Sequence, residues 1–304
     1  MKPSKPTSLA AKSSSSRHTA SPLVQESDDH RVARVQQALD EIDACPVESA
    51  PFRDSDGDPS WGPVVLFESI SSGEFNEWLA NNEARVRRWQ FEPLDDDDKG
   101  RVVIYSRPTG VLTEVSDWIY NSIIEQIVAA GNNDIRLMRS VSSSGSTTFQ
   151  VGDGLCFYAQ EEDNSLKPVN LRVGGQVLAG TATQDPFPTV VIEMAYKNQT
   201  FDHLLGKIRS WMHPQYTSVQ VAIGIHISPV SGRRRAILHV RGQAVQVTEF
   251  GDDSAIVPLP LVFPMACIYW GVAWPNALSG HENDMISIDL IALRRFIRYC
   301  IDRH

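Results

Sequence analysis

Two stretches of this chain are apolar at nearly every position, and a helix-patterned segment separates them. "PTVVIEMAY", ending at Tyr196, and "TSVQVAIGIHIS", beginning at Thr217, are short and rich in β-branched residues, and each reads as a buried strand. Between them, "TFDHLLGKIRSWMH" places Leu204, Leu205, Ile208, Trp211 and Met212 on one helical face, with Thr200 as its N-cap. Upstream, "PTGVLTEVSDWIYNSIIEQIVAAGNN" reads as a helix stopped at Gly131, and "DIRLMRSV" and "TTFQVGDGLCFYA" read as strands. From residue 110 to 228 the order is therefore helix, three strands, helix, strand. The class is α/β, with a mixed central sheet flanked by helices.

The rest of the chain is simpler. Residues 1–30 are Ser-rich, with Lys2, Lys5, Lys12 and Arg17 and no acid before Glu26; a disordered tail explains this better than an organelle transit peptide. In residues 31–100, a helical N-terminal region is expected. Val32, Val35, Leu39 and Ile42 repeat at helical spacing, and "SGEFNEWLANNEARVRRWQ" reads as a second helix with Phe75, Trp78, Leu79, Val86 and Trp89 inward. Residues 101–304 form the main domain, with "RVVIYS" a strand, "RRRAILHVRGQAVQVTEF" a hairpin turning near Gly242, and a closing helix over Leu290, Leu293, Ile297 and Cys300. Asp54, Asp56 and Asp58 are spaced like a calcium loop, but Gly57 is misplaced for the turn and no Glu closes it.

Composition sets limits. The formal net charge of −9 gives no long-range attraction for nucleic acid, which leaves any such contact to local basic groups. Cys45, Cys156, Cys267 and Cys300 form no CxxC pair, so reduced thiols are expected rather than a zinc site or a disulfide framework. No apolar run reaches the ~18 residues of a membrane-spanning helix. There is no GxxxxGK loop and no HExxH, and His203, His213, His226 and His239 do not assemble into a triad. An intracellular place, cytoplasmic or nuclear, is expected, with an organelle as the alternative.

The carboxylates are the chemistry. Glu193 sits among Val190, Val191, Ile192 and Met194, where an uncompensated charge carries a desolvation penalty. Either it lies at a strand end facing water, or a Lys, an Arg or a cation compensates it. Asp153 lies between Gly152 and Gly154, which marks a bend or a close approach. On neighbouring strands the two would reach one hard cation, Mg²⁺ or Mn²⁺, and a cation so held activates water against a phosphodiester.

With Gly152-Asp153 on one strand and Glu193 on the next, the chain resembles the PD-(D/E)XK nuclease superfamily, with two departures. Gly152 replaces the motif proline, and Ala195 stands where the motif has its lysine. A bacterial restriction-endonuclease-like family, abundant in cyanobacteria, moves that lysine onto the following helix, fourteen residues after the acid, with an aromatic four residues later. In this sequence those positions are Lys207 and Trp211. "PTVVIEMAYKNQTFDHLLGKIRSW" is also similar to a set of fungal and oomycete proteins of that fold. The resemblance covers about residues 104–228. It implies a restriction-endonuclease-like αβββαβ core and a metal-dependent nuclease of DNA or RNA. Asp153 and Glu193 would hold the metal, Lys207 would orient water or stabilise charge, and Glu114 would be the helix acid. Asp117 and Glu125 compete with Glu114, and Lys197, in the turn after the strand, competes with Lys207.

Candidate phosphate contacts are Arg233, Arg234 and Arg235 at the hairpin mouth, Arg294, Arg295 and Arg298 on the last helix, and Arg136 and Arg139. Trp118, Trp211 and Trp270 read as core rather than stacking platforms. Nucleic acid is the expected partner, with a homodimer allowed. The alternative is a catalytically inactive module of the same fold that binds protein or nucleic acid. Ala195, the acidic balance and the N-terminal third outside the resemblance speak for it.

Overall fold

The computed structural model describes residues 26–46, 49–55, 57–82, 85–86, 88–94, 99–105, 109–144, 147–151, 158–181, 183–196, 199–228, 231–252 and 257–303. Asp153, Lys197, Asp56, Cys156, the Asp95 to Asp98 run and nearly all of the expected N-terminal tail lie outside them.

In chain order the elements begin with α1 (Asp28–Ala44), the two-residue strands β1 (Phe52–Arg53) and β2 (Pro59–Ser60), β3 (Val64–Ser71), α2 (Ser72–Asn82), β4 (Trp89–Pro93) and β5 (Lys99–Ile104). There follow α3 (Gly110–Ala130), β6 (Val141–Ser142), β7 (Thr148–Val151), β8 (Tyr158–Glu161), β9 (Asn164–Pro168), β10 (Val190–Tyr196), α4 (Phe201–Trp211) and β11 (Val221–Ile227). The chain closes with β12 (Arg234–Val240), β13 (Gln246–Glu249), β14 (Leu261–Pro264), β15 (Met285–Ile288) and α5 (Leu290–Arg303).

The central sheet has six strands in the order β13-β12-β11-β10-β9-β6. β10 and β11 run parallel, which the intervening α4 permits, and every other pair is antiparallel. Both central strands are covered on two faces, hence apolar runs that only Glu193 interrupts in β10 and only His226 in β11. Val190, Ile192 and Met194 pack with α3, α5, β14 and β15, while Val191 and Ala195 pack with Phe201, Leu204, Ile208 and Trp211 of α4. By the two-residue period of a strand, Glu193 belongs to the α4 face. Opposite it in register is Gly224, where an added Cβ would meet Ile208 at 3.1 Å, so the missing side chain is what lets α4 lie close to the sheet.

A second, five-stranded sheet has the order β3-β5-β4-β8-β7, all antiparallel. Its core joins Val32, Val35 and Leu39 of α1 to Phe75, Trp78 and Leu79 of α2 and to Trp89, Phe91, Val102 and Ile104 of the strands. The N-terminal region is therefore helices packed on a sheet rather than helical alone. A boundary at residue 100 runs through β5, and the β7–β8 hairpin of the later chain completes the same sheet at Gln90↔Gln160.

Three expected elements differ, and the first is "TTFQVGDGLCFYA", expected as a strand beside β10 but divided between β7 and β8 of the second sheet, so that β9 takes the place beside β10. The second helix stops at Asn82, not at Gln90, and the chain reverses at Arg88, whose φ of 57° no helix contains, before Trp89 enters β4. "DIRLMRSV" is mostly a 3-10 turn at Ile135–Arg139 capped by the Asp134 side chain, with Val141–Ser142 alone pairing as a strand.

Gly224→Val is expected to destabilise the protein by about 1–3 kcal/mol through overpacking against Ile208. Gly206→Ala, in α4 with nothing within 4 Å of its Cβ position, should stabilise by about 0.5–1 kcal/mol. Chemical denaturation of both variants checks the pair.

Candidate active site

α4 begins where the Thr200 side chain accepts the His203 N–H. From that start Lys207 and Trp211, one helical turn apart, face the underlying strand. Lys207 Nζ donates to Glu193 Oε2 at 2.7 Å, and Trp211 Nε1 donates to Glu193 Oε1 at 2.5 Å. Glu193 is 0% exposed, and the Lys207 side chain is 12% exposed. Burial pushes the Glu193 carboxyl up to about 7, and Asp163 adds to the rise against the opposing Lys207 charge and the Lys207 and Trp211 hydrogen bonds.

Asp163 stands just before β9, the antiparallel neighbour of β10. Its Oδ2 accepts the Met194 N–H at 2.6 Å, and its Oδ1 takes the Arg88 guanidinium. The adjacent Glu162 is buried. Ser165 donates to its Oε1 at 3.3 Å, and its Oε2 has no partner among the described residues. Burial, with Glu193 adding to it, holds the Glu162 carboxyl well above the ordinary carboxylate range.

The far wall comes from the N-terminal unit. Tyr105 stacks on His203 at 3.7 Å between ring centroids, and Arg88, Trp89, Gln90 and Tyr105 line a small pocket with Asp163, Gln199 and Lys207. Gln199 Nε2 meets His203 Nδ1 at 2.9 Å, and the Nε2 of that ring has no partner among the described residues. Burial and the Lys207 charge push His203 down to about 3, so the imidazole is neutral and not a cationic phosphate ligand.

Of the four residues singled out from sequence, Glu193 and Lys207 meet directly. Asp153 lies outside the described residues. Glu114 points elsewhere: its Oε1 pairs with Arg303 of α5 at 2.9 Å and its Oε2 accepts from Cys300 Sγ at 3.5 Å. Asp117, three residues on in α3, is the helix acid that reaches the strands, accepting from Asn164 Nδ2 at 2.9 Å, while Glu125 is exposed. Ala195 is fully buried against α4, where a lysine would bury its charge in the apolar cluster. Asp163, Arg88 and His203 were missing from the expected set. The acidic step "EED" just before β9 was the available signal for Asp163, but the polar "NSLKP" strand that follows it has no apolar periodicity. Among the described residues, no three His, Cys, Asp or Glu side chains converge as a metal cage, so a cation here would rely on two carboxylates, backbone and water.

Of the arginines expected to meet phosphate, Arg234 and Arg235 are buried, whereas Arg136, Arg139, Arg295 and Arg298 are exposed. Arg234 is buried and forked on Asp252 at 2.7 and 2.9 Å, Arg298 shares that carboxylate, and Arg235 lies 3.7 Å over the Phe201 ring. Arg136 pairs with Asp134 at 2.7 Å.

No family model matches the chain, and no curated protein matches it. Among solved structures, a DUF820 protein of Anabaena variabilis ATCC 29413, provisionally named a nuclease, superposes with a TM-score of 0.37 at 12% identity, over 75% of this chain and 99% of that one. A superposition that distant fixes neither family nor activity.

Proposed function

We propose that the protein is a metal-dependent nuclease, hydrolysing phosphodiester bonds of DNA or RNA, built on a restriction-endonuclease-like core. The observation that carries this is the buried contact of Lys207 with Glu193, made across a strand and the following helix at fourteen residues' separation. The order α3-β6-β9-β10-α4-β11, with β10 and β11 parallel, agrees with an αβββαβ core from which β7 and β8 depart into the second sheet.

The donor set suits a hard cation. Glu193 on β10 and Asp163 just before the neighbouring β9 bring two carboxylates to one place, and Asp163 raises the proton affinity of Glu193, the repulsion that a shared cation relieves. These two residues would hold Mg²⁺ or Mn²⁺, with Asp153 a further donor to be tested beside them. When bound, such an ion acidifies a water and neutralises phosphoryl charge. Lys207 sets its Nζ beside Glu193, placed to orient the attacking water and to stabilise charge developing on the phosphoryl oxygens. Arg88 lines the same pocket and supplies a guanidinium for a phosphate. Tyr105 and Trp89 exclude water from its inner end.

A second reading, an inactive module that binds nucleic acid or protein, is favoured by one feature. Arg88 already neutralises Asp163 and Lys207 already neutralises Glu193.

Cleavage of single- and double-stranded DNA and RNA should require Mg²⁺ or Mn²⁺ and stop with chelator. Glu193→Gln, Asp163→Asn and Lys207→Ala should each lower the rate by about 10²-fold or more, the scale of losing one group that stabilises developing charge. Glu114→Gln should cleave like the natural chain. No cleavage by a folded protein, with nucleic acid still bound, establishes the second reading.

The pH dependence has a definite sign. A proton on Glu193 competes with a cation, and its carboxyl titrates near 7, so metal affinity should climb from pH 6 to pH 8. Calorimetric Mn²⁺ titrations across that range would show it, and Glu193→Gln should abolish the slope.

A further inference from the structure

A second cavity, of about 360 Å³, opens on the α4 side of the central sheet, at the end where β11 begins. Gln220, the residue before β11, lines it, and Gly224, the register partner of Glu193, lies four residues on, about 13 Å along a strand. The cavity is thus separate from the Glu193 pocket, and its volume suits a small organic ligand.

Its cationic group is Arg241. The guanidinium is half-buried and anchored from one side, with Nε donating to Val219 O at 2.6 Å and Nη2 to Thr217 O and Oγ1 at 3.0 and 2.9 Å. Among the described residues Nη1 makes no hydrogen bond and no carboxylate pairs with this arginine. Burial lowers its proton affinity with no acid to restore it. A guanidinium fixed in place without a counter-charge is prepared for an anion.

Three further features narrow the ligand. Ser218 lines the cavity at 4% exposure, and its hydroxyl has no partner among the described residues. Trp270, half-buried on the wall with Leu178 near it, offers a flat apolar face. The Gln176 amide both donates and accepts, as the edges of a heterocyclic base do, while Gln220 Nε2 already donates to Ser218 O at 2.8 Å and leaves its carbonyl side to the cavity.

We propose that this cavity binds a nucleoside monophosphate, its phosphate on Arg241 and Ser218 and its base against Trp270. The site stands independently of the nuclease reading.

The test is isothermal calorimetry of the full-length protein with AMP, CMP, GMP and UMP, alongside the unphosphorylated nucleosides and inorganic phosphate. At least one monophosphate should bind more tightly than its nucleoside and than phosphate alone. Arg241→Met should weaken it about tenfold or more, the scale of one charge-assisted contact. Trp270→Ala and Ser218→Ala should weaken it too, and Glu193→Gln should leave it unchanged. Arg241 also tethers backbone carbonyls, so if Arg241→Met does not fold, Trp270→Ala and Ser218→Ala decide the matter. Absence of binding by all four monophosphates overturns the proposal. So does binding that phosphate or a nucleoside matches, that the cavity variants leave intact, or that Glu193→Gln abolishes.

Discussion

A single buried carboxylate sets the terms for the centre of this molecule. Glu193 has no water to solvate it, so its charge depends on what α4 and the neighbouring strand bring. Lys207 and Trp211 meet that demand from one helix face, which fixes the rotation of α4 about its axis. Gly224 fixes its height above the sheet, because a side chain there would run into Ile208. The parallel pairing of β10 and β11 follows from the same helix, the connection such a pair requires. Truncating either ionic partner would leave the other buried and uncompensated, an arrangement that typically destabilises by about 3–5 kcal/mol.

Much of this is legible in the amino-acid sequence. The apolar runs of β10 and β11 and the periodicity of α4 located the central crossover, and the spacing of Glu193, Lys207 and Trp211 matched the contact they make. What escaped notice lies where periodicity is silent. β9 is short and polar, so the Asp163 beside it carried no strand signal, and its partner Arg88 comes from 75 residues upstream in another sheet. The sequence suggests a helix as far as Gln90 because Val86 and Trp89 keep a helical spacing, but α2 ends at Asn82 and the chain reverses at Arg88. Glu114 was placed by analogy with a helix acid, yet it meets Arg303 of α5. Spacing assigns a residue to a helix, but not to one of its faces when both are covered.

The N-terminal unit is more than an appendage to the site. Tyr105 covers His203, Arg88 grips Asp163, and Ser55 donates to Asp202 in the first turn of α4 at 2.7 Å. These contacts keep water from one side of the carboxylates, and low local polarity strengthens every charge interaction they make. Groups that border the N-terminal sheet thereby tune the electrostatics of Glu193 and Asp163.

The interleaving of the two sheets bears on how the chain is made. β4 and β5 are complete by residue 104, yet β8, which pairs with β4, arrives only with residues 158–161. During synthesis that stretch of β4 edge stays unpaired while all of α3 leaves the ribosome, and an open edge is a template for pairing with other chains. Proteolysis between α3 and β7 would likewise leave the strands before the cut without the covalent tether that returns their partner. The two sheets therefore mature together, and neither half of the chain is a finished folding unit alone.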